Sequence, residues 1–165
     1  MMGFFGRLFS KILAKAEPAL SDAQPRDAAA IAALHAASFR RGWSDQEVEG
    51  LLIDRSVIAQ RALIGRAFAG FIMSRVAADE AEILSVAVAR SQQGRGLARQ
   101  LLNLHLRRLA GLGVRTVFLE VDEHNTPAIK LYGRAGFREV SRRANYYPLA
   151  GGKTAAALVL RRDIG

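Results

Sequence analysis

The apolar residues in the first third of the chain recur at helical spacing. The stretch DAAAIAALHAASF begins at Asp27, a predicted N-cap, and places Ile31 and Leu34 on one face. The stretch SDQEVEGLLID begins at Ser44 and carries Glu47 three residues later, the pattern of a capping box. The sequence therefore predicts two consecutive helices. A segment of turn composition, residues 18–25, precedes them and separates a predicted extension (1–20) from the predicted domain (21–165).

A strand-like pattern replaces the helical one after residue 55. Three apolar stretches, SVIAQRAL, RAFAGFIMSRVA and AEILSVAVAR, are separated by turn signals and predict an antiparallel meander. A long amphipathic helix, GLARQLLNLHLRRLA, follows. The chain then continues as a strand (TVFLEVD), a helix (TPAIKLYGRAG) and two closing strands (FREVSRRANYY and KTAAALVLRR). This order predicts the α/β class, with one mixed, mostly antiparallel sheet and helices on both faces.

Composition and charge narrow the chemistry. The 165 residues include no cysteine, which excludes disulfides, thiolate metal sites and an acyl-cysteine intermediate. It also fits a reducing compartment, so we expect a cytoplasmic protein. The three histidines are isolated from one another, so no metal site is expected, and His105 on the long helix is expected to be packed. The formal net charge of +9 favours an anionic partner: a phosphorylated cofactor, nucleic acid or an acidic membrane surface.

The predicted extension has a basic amphipathic pattern. Phe4, Leu8 and Ile12 fall on one helical stripe, whereas Arg7 and Lys11 occupy other positions. Such a segment either packs on the domain or frays, or it makes weak contact with a membrane surface. No apolar run of the chain approaches the ~20 residues that span a bilayer.

A glycine-rich loop joins the third apolar stretch to the long helix. Glycines at a strand-to-helix turn let backbone N–H groups approach a phosphate, and the helix dipole favours the anion. The loop lacks both the dinucleotide pattern G-x-G-x-x-G and the G-K-[ST] ending of a P-loop. From the residues alone, pyrophosphate binding and a purely structural turn both remain open.

The loop resembles a known cofactor-binding pattern. Gln93, Gly96 and Ala98 fill the fixed positions of Q/R-x-x-G-x-G/A, the signature of the GNAT superfamily of N-acetyltransferases, which bind acetyl-CoA there. The order of elements from about residue 70 to about residue 160 is similar to that superfamily throughout. Within it, LEVDEHNTPAIKLYGRAGF and RRANYYP resemble the RimI-type protein N-terminal alanine acetyltransferases.

This resemblance implies a sheet splayed at an acetyl-CoA site, without a metal. It implies acetyl transfer to the α-amine of an alanine-starting protein, a small-subunit ribosomal protein, and no stable binding to nucleic acid. The alternatives are a small-molecule amine or a lysine side chain as acceptor, or a non-catalytic basic module that binds RNA or acidic lipid. The residues implied to contact acetyl-CoA are Val86, Ala87, Val88, Gln93, Gly94, Arg95, Gly96, Leu97, Ala98, Arg99 and Asn125.

Two further residues are candidates for the chemistry. Alternation in TVFLEVD puts Glu120 on the face opposite Leu119 and Val121, where a carboxylate is costly unless it is hydrogen-bonded, solvated or placed to react. The residues leave a solvated strand end and a general base equally open, and the resemblance implies the base. Tyr132 lies on the inward stripe of the following helix. The residues alone favour a core aromatic there, and the resemblance implies the general acid.

Two aromatic residues are predicted beside the acceptor. Trp43 in GWSD is equally a packing anchor and a part of the acceptor site. In NYYP the resemblance places Tyr147 against the acceptor N-terminus, with Tyr146 as the alternative. Because a basic acceptor would be repelled by a positively charged protein, we hypothesise an acidic groove. Its expected members are Asp45, Glu47, Glu49, Asp122 and Glu123.

Overall fold

The strand pattern of the sequence forms a seven-stranded sheet within residues 16–165, the part of the chain that the computed structural model describes. The spatial order is β1-β2-β3-β4-β5-β7-β6, and every neighbouring pair is antiparallel except β4 with β5. The predicted meander and the mixed, mostly antiparallel sheet are therefore confirmed. The strands are β1 (Ala19–Asp22), β2 (Val57–Ile64), β3 (Ala67–Ala77), β4 (Glu80–Val88), β5 (Thr116–Asp122), β6 (Arg138–Pro148) and β7 (Thr154–Asp163).

Four α-helices occur in the described residues, and their start signals only partly follow the sequence prediction. Ser44 caps its helix as predicted: its Oγ accepts the N–H of Glu47 at 3.1 Å, and the Glu47 carboxylate accepts the N–H of Ser44 at 2.8 Å. Asp27 takes the predicted N-cap position, but its side chain makes no capping bond, because its carboxylate pairs with Arg61 and accepts the N–H of Gln24 at 2.7 Å. The helices are α1 (Ala28–Ser38), α2 (Asp45–Ile53), α3 (Leu97–Gly111) and α4 (Thr126–Arg134).

Two apolar cores hold these helices against the sheet. Strand alternation sends one set of side chains to each face. On the face covered by α3 and α4, Leu101 and Leu119 are fully buried. On the face covered by α1 and α2, Ile31 and Phe71 are fully buried. These are called the α3/α4 face and the α1/α2 face below.

The sheet begins earlier than the sequence predicts. Residues 18–25 have turn composition, yet Ala19 to Asp22 pair with β2 and Leu20 packs against the α3/α4 core. β1 thus crosses the boundary placed at residue 21. That boundary stays a prediction, since the amphipathic pattern up to residue 15 lies outside the described residues. Among the helices of residues 16–165, none has both the length and the hydropathy that crossing a membrane requires.

β4 and β5 separate halfway along their length. They pair in parallel only where Glu80 to Ile83 lie beside Thr116 to Leu119. At Leu84 the ladder between β4 and β3 skips one position, a β-bulge that bends the strand. Beyond this point, residues 84–88 and 120–122 of the described chain form no ladder with each other. The sheet is therefore open between the second halves of its two central strands.

A buried polar chain ties α3 to the sheet. His105 is fully buried, contacts the Ser74 hydroxyl through Nε2 at 2.6 Å and contacts the Gln60 side chain through Nδ1. Gln60 in turn donates its side-chain amide to Asp22 at 3.1 Å. The predicted packing of His105 is confirmed. Its hydrogen-bonded partners connect α3 to β1 through Gln60 and Asp22.

Candidate active site

The opening between β4 and β5 exposes part of the β4 backbone. Ala89 donates its N–H to the carbonyl of Ala69 at 2.8 Å, so its polar groups face β3. Because backbone groups of an antiparallel strand point to alternate sides, those of Val88 and Val86 face the opening. The same alternation directs the groups of Ala87 to β3. Of the three β4 residues predicted to contact acetyl-CoA, Val86 and Val88 have backbone groups placed for it and Ala87 does not.

The glycine loop presents a row of N–H groups next to this opening. Gly94 and Gly96 have φ of 77° and 79°, a left-handed conformation that glycine adopts without strain, and Gly96 is the N-cap of α3. Within residues 16–165, the N–H groups of residues 94–98 have no backbone acceptor. Gln93 ties the loop to β4, because its side-chain amide donates to the carbonyl of Val88 at 3.2 Å.

The loop fits a pyrophosphate. Leu97 is buried and anchors the start of α3, whereas Arg95 and Arg99 on the same turn are exposed. Free N–H groups, the positive end of a helix dipole and two guanidinium groups together form a site for an anion with several oxygens. The residues present are thus chemically suited to the phosphorylated end of acetyl-CoA.

Glu120 lies where β5 parts from β4. It follows Leu119, the last β5 residue paired with β4, and points to the α1/α2 face, as the alternation predicts. Its side chain is 25% exposed and its Oε1 lies 3.3 Å from the Arg143 guanidinium. It borders a cleft of about 350 Å³ whose wall includes Phe118 and Val159. The carboxylate is therefore half-sheltered, ion-paired and reachable from the α1/α2 face.

Tyr132 lies on the other side of the sheet, at the α3/α4 core. Its ring packs edge-on against Phe137 with centroids 5.7 Å apart. Burial raises the pKa of Tyr132 to about 12, so the hydroxyl stays protonated at neutral pH and is able to donate a proton. The opening between β4 and β5 separates it from Glu120. Both the core-aromatic interpretation and the acid interpretation of Tyr132 fit this position.

Asn125 begins the helix that carries Tyr132. Its Oδ1 accepts the N–H of Ala128 at 3.3 Å and so caps α4. This bond occupies the carboxamide oxygen and not the NH₂ group. The contact between Asn125 and acetyl-CoA stays a prediction, and it would have to use that NH₂ group.

Trp43 is a packing anchor, and its role in the acceptor site stays a prediction. Its indole stacks on the buried His35 at 3.9 Å with the planes 8° apart, and the backbone N–H of Trp43 donates to His35 Nδ1 at 3.2 Å. Burial lowers the pKa of His35, which keeps this imidazole neutral and able to accept the bond. Trp43 also lines a shallow groove with Glu47, Leu51 and Arg75. It is a packing anchor that borders the α1/α2 face.

Tyr147 lies directly after a bulge in β6. Arg143 pairs with Ala157 and Tyr147 with Ala155, so three residues of β6 oppose one of β7, and Asn145 adopts a φ of 56°. Burial raises the pKa of Tyr147, and the negative charge of Glu120 adds to this effect. The contact of Tyr147 with the acceptor N-terminus stays a prediction, and Tyr146, the alternative, is 48% exposed.

Arg143 is the residue of this site that the sequence analysis missed. Arg143 and Tyr147 are four residues apart in a predicted strand, so period-two alternation alone places both on one face. That spacing was the available signal. An arginine was not expected beside a general base, because it partners the same carboxylate that must accept a proton.

The hypothesised acidic groove stays a prediction, although three of its five members have local partners. Glu47 belongs to the capping box of α2, and Asp122 accepts the N–H of His124 at 2.8 Å. Glu123 accepts the N–H of Ala156 at 2.9 Å and pairs with Arg142 at 3.1 Å. These carboxylates have local partners because they lie where helices or strands begin or end. The sequence pattern alone does not distinguish such a carboxylate from one that recognises a ligand. In residues 16–165 no group of three His, Asp or Glu side chains is arranged to hold a metal.

Comparison with known proteins places these features in one family. The family model described as "Acetyltransferase (GNAT) family" matches residues 28–137. The chain is 35% identical over 117 residues to the "[Ribosomal protein bS18]-alanine N-acetyltransferase" of Escherichia coli K12, which covers 71% of this chain and 78% of that protein. It is 36% identical over 90 residues to the Haemophilus ducreyi protein of the same name, covering 54% of this chain and 62% of that relative.

The fold agrees with a solved structure. The crystal structure of the ribosomal-protein-S18-alanine N-acetyltransferase from Escherichia coli superposes with a TM-score of 0.84 at 28% identity. The match covers 90% of this chain and 95% of that chain. The sheet that contains the opening between β4 and β5 therefore belongs to a fold known from a solved structure.

Proposed function

Because this chain belongs to the GNAT family of acetyltransferases, we propose that it transfers the acetyl group of acetyl-CoA to the α-amine of an alanine-starting ribosomal protein. The observation that carries this proposal is the position of Glu120, a reachable carboxylate at the point where β4 and β5 part. The relatives whose names specify ribosomal protein bS18 and alanine support the choice of acceptor. A small-subunit ribosomal protein is the specific partner that we propose.

The glycine loop and β4 bind and orient the cofactor in this proposal. Acetyl-CoA supplies an acetyl group already activated as a thioester. The free N–H groups of residues 94–98 hold its pyrophosphate, assisted by Arg95 and Arg99. The backbone groups of Val86 and Val88 bind its arm in the opening. One N–H there aimed at the thioester carbonyl would stabilise the developing oxyanion by about 2.7–4 kcal/mol.

Glu120 acts as the general base on the acceptor. A peptide α-amine has a pKa of about 7.7–8.0, so a minority is unprotonated at pH 7 and a modest base is enough to supply the rest. Glu120 takes a proton from the ammonium, directly or through a water molecule, before the nitrogen attacks the thioester carbon. The carboxylate is reachable from the α1/α2 face, and Tyr147 forms a wall of the acceptor site in this proposal.

Tyr132 acts as the general acid on the leaving group. Its pKa of about 12 keeps the hydroxyl protonated throughout the neutral range. A thiolate that leaves takes this proton, and the tyrosine is reprotonated from solvent. The sheet thereby separates the base on the α1/α2 face from the acid on the α3/α4 face, with the reacting carbonyl between them.

The proposal assigns the positive charge to the cofactor and not to a nucleic acid. The arginines of the glycine loop lie where the pyrophosphate would bind, so we propose no stable nucleic-acid partner and a cytoplasmic site of action. A weak contact of the N-terminal extension with a membrane surface is compatible with this reaction and is not required by it.

The test is acetyl-CoA consumption with short peptides that differ only at their first residue. We expect turnover with alanine-starting peptides, and a kcat for Glu120→Gln that is about 100-fold lower at pH 7, the lower end for a general base. The deficit should shrink above pH 9, where the amine is already neutral. Glu17→Gln, a change at an exposed glutamate that precedes β1, is the matched control and should behave as wild type.

Turnover only on free small amines or on lysine side chains would contradict the proposed acceptor and keep the family reaction. Wild-type kinetics for Glu120→Gln at all pH values would remove Glu120 as the base. Each result identifies a different part of the proposal as wrong.

A further inference from the structure

Arg143 is held against Glu120 from the neighbouring region of β6. Its guanidinium lies 3.3 Å from Glu120 Oε1 and 5.6 Å from the centroid of the Tyr146 ring, over which it stacks. The Arg143 side chain is 58% exposed, against 25% for Glu120, so the pair opens toward the α1/α2 face. An acceptor amine that approaches Glu120 from this face therefore also meets Arg143.

A carboxylate by itself is a poor partner for an amine that must react. Its negative charge stabilises the protonated ammonium, which has no free electron pair and cannot attack a thioester. A cation next to the carboxylate offsets this effect, because the incoming group then meets a nearly neutral pair. The ion pair of Glu120 with Arg143 places such a cation next to the carboxylate.

Resting on the function proposed above, we propose that Arg143 is a charge-balancing and positioning residue: paired with Glu120, it offsets the negative charge that would hold the acceptor α-amine as an ammonium, so that the bound amine gives up its proton more readily. Arg143 acts through Glu120 and through the local field, and no bond to the reacting atoms is assigned to it. The acetyl-transfer step itself is unchanged.

The other charged and titratable groups around Glu120 do not replace Arg143. The tyrosines Tyr146 and Tyr147 are not cations, and the carboxylates of Asp122, Glu80 and Glu82 would stabilise an ammonium. Two further arginines have other partners: Arg75 lines the cleft from β3 and lies 4.0 Å from Asp54, and Arg161 of β7 lies over the Phe118 ring and pairs with Asp163 at 2.9 Å. Arg143 is the cation in ion-pair contact with Glu120 among the described residues.

The adjacent arginine offers a matched control. Arg142 is equally exposed at 53%, but it pairs with Glu123 and with Glu139, both at 3.1 Å. Arg142→Met and Arg143→Met remove the same charge from neighbouring positions of one strand. Of the two variants, only Arg143→Met removes a charge that lies within ion-pair distance of Glu120.

The experiment measures kcat and KM for an alanine-starting peptide from pH 5.5 to 9.5 at saturating acetyl-CoA. For Arg143→Met we expect the acidic limb of the kcat profile, which reports the bound amine, to move up by about one pH unit. Well below pH 7 the peptide KM and kcat should both fall by about tenfold, since the ammonium binds better but does not react, so that kcat/KM stays unchanged. Arg143→Lys keeps the charge and should restore the limb, and Arg142→Met should superpose on wild type.

The possible results separate this inference from the function on which it rests. An acidic limb that does not move in Arg143→Met, with or without a uniform loss of kcat, overturns the charge-balancing role and leaves the proposed function standing. A limb that moves equally in Arg142→Met overturns it too, because the effect would then be one of net charge. A wild-type protein that acetylates no peptide overturns the proposed function and this inference together.

Discussion

Lowering the pH should destabilise this fold through His105, a residue remote from the site. The imidazole is fully buried in α3 between Ser74 and Gln60. Gln60 donates its amide to Asp22, so its oxygen accepts from His105 Nδ1–H, and Nε2 then accepts from the Ser74 hydroxyl. The imidazole is therefore neutral. Burial lowers the pKa of His105 to about 4.

The sign and the size of the change in the free energy of unfolding with pH follow from the protons that the folded and unfolded chains bind. An unfolded histidine has a pKa of about 6.5, so the unfolded chain binds a proton between pH 6.5 and 4 that the folded chain refuses. The contribution of His105 to stability is thus complete above pH 6.5 and is lost as the pH falls through this interval. At 1.36 kcal/mol per pH unit, the free energy of unfolding should drop by about 2–3 kcal/mol between pH 7 and pH 4.5.

The assay is urea unfolding at pH 7 and pH 4.5 for wild type and His105→Gln. The variant loses some stability at pH 7, about 1–3 kcal/mol for partners left unpaired, but it lacks the titrating group. His35, whose pKa is also lowered by burial, destabilises both proteins at low pH, so the difference between them isolates His105. If both proteins lost the same free energy of unfolding between the two pH values, the reasoning would be refuted.

Two further predictions concern the site. Tyr132→Phe should lower kcat by about 100-fold without changing the KM for acetyl-CoA, because it removes the proton donor and little volume. Tyr146→Phe is the control. A kcat of Tyr132→Phe within twofold of wild type would exclude the acid role. Gly96→Ala should raise the KM for acetyl-CoA by about tenfold, since a φ of 79° strains a side chain by about 1–2 kcal/mol and shifts the loop N–H groups. Gly111→Ala in α3, where an added Cβ meets open space at an ordinary φ, should leave that KM unchanged, and an equal effect of both changes would contradict the loop argument.

Much of the fold follows from period and capping alone. β5 begins and ends where TVFLEVD does, and the capping box at Ser44 starts α2 as predicted. β1 was missed because four residues with turn composition carry no period, and the pairing with β2 that makes them a strand is non-local. Asp27 is the N-cap as predicted, but its side chain does not cap α1, because Arg61, the partner of its carboxylate, is distant in sequence.

The same distinction between local patterns and non-local contacts applies to the site. Local geometry at the glycine loop was readable, because Gly94 and Gly96 mark a strand-to-helix turn. The contact between Glu120 and Arg143 was not, because it depends on the register of β6 with β7 and on a bulge that no residue pattern announces. A sequence therefore indicates which residues carry charge and which face they take more readily than it indicates which charges meet.

The distribution of charge resolves the conflict between a +9 protein and a basic acceptor. At physiological salt the Debye length is about 8 Å, so an exposed acceptor responds mainly to the charges beside it. The cleft next to Glu120 is lined by three glutamates and two arginines, which gives it a local charge of −1 within a strongly positive chain. Glu80 and Glu82 add acidic charge next to Glu120, apart from the groove hypothesised with Glu47 and Glu123. The excess of positive charge includes the two exposed arginines of the glycine loop, where the proposed cofactor would bind, and the proposed reaction leaves the opposite face of the same sheet for a basic peptide.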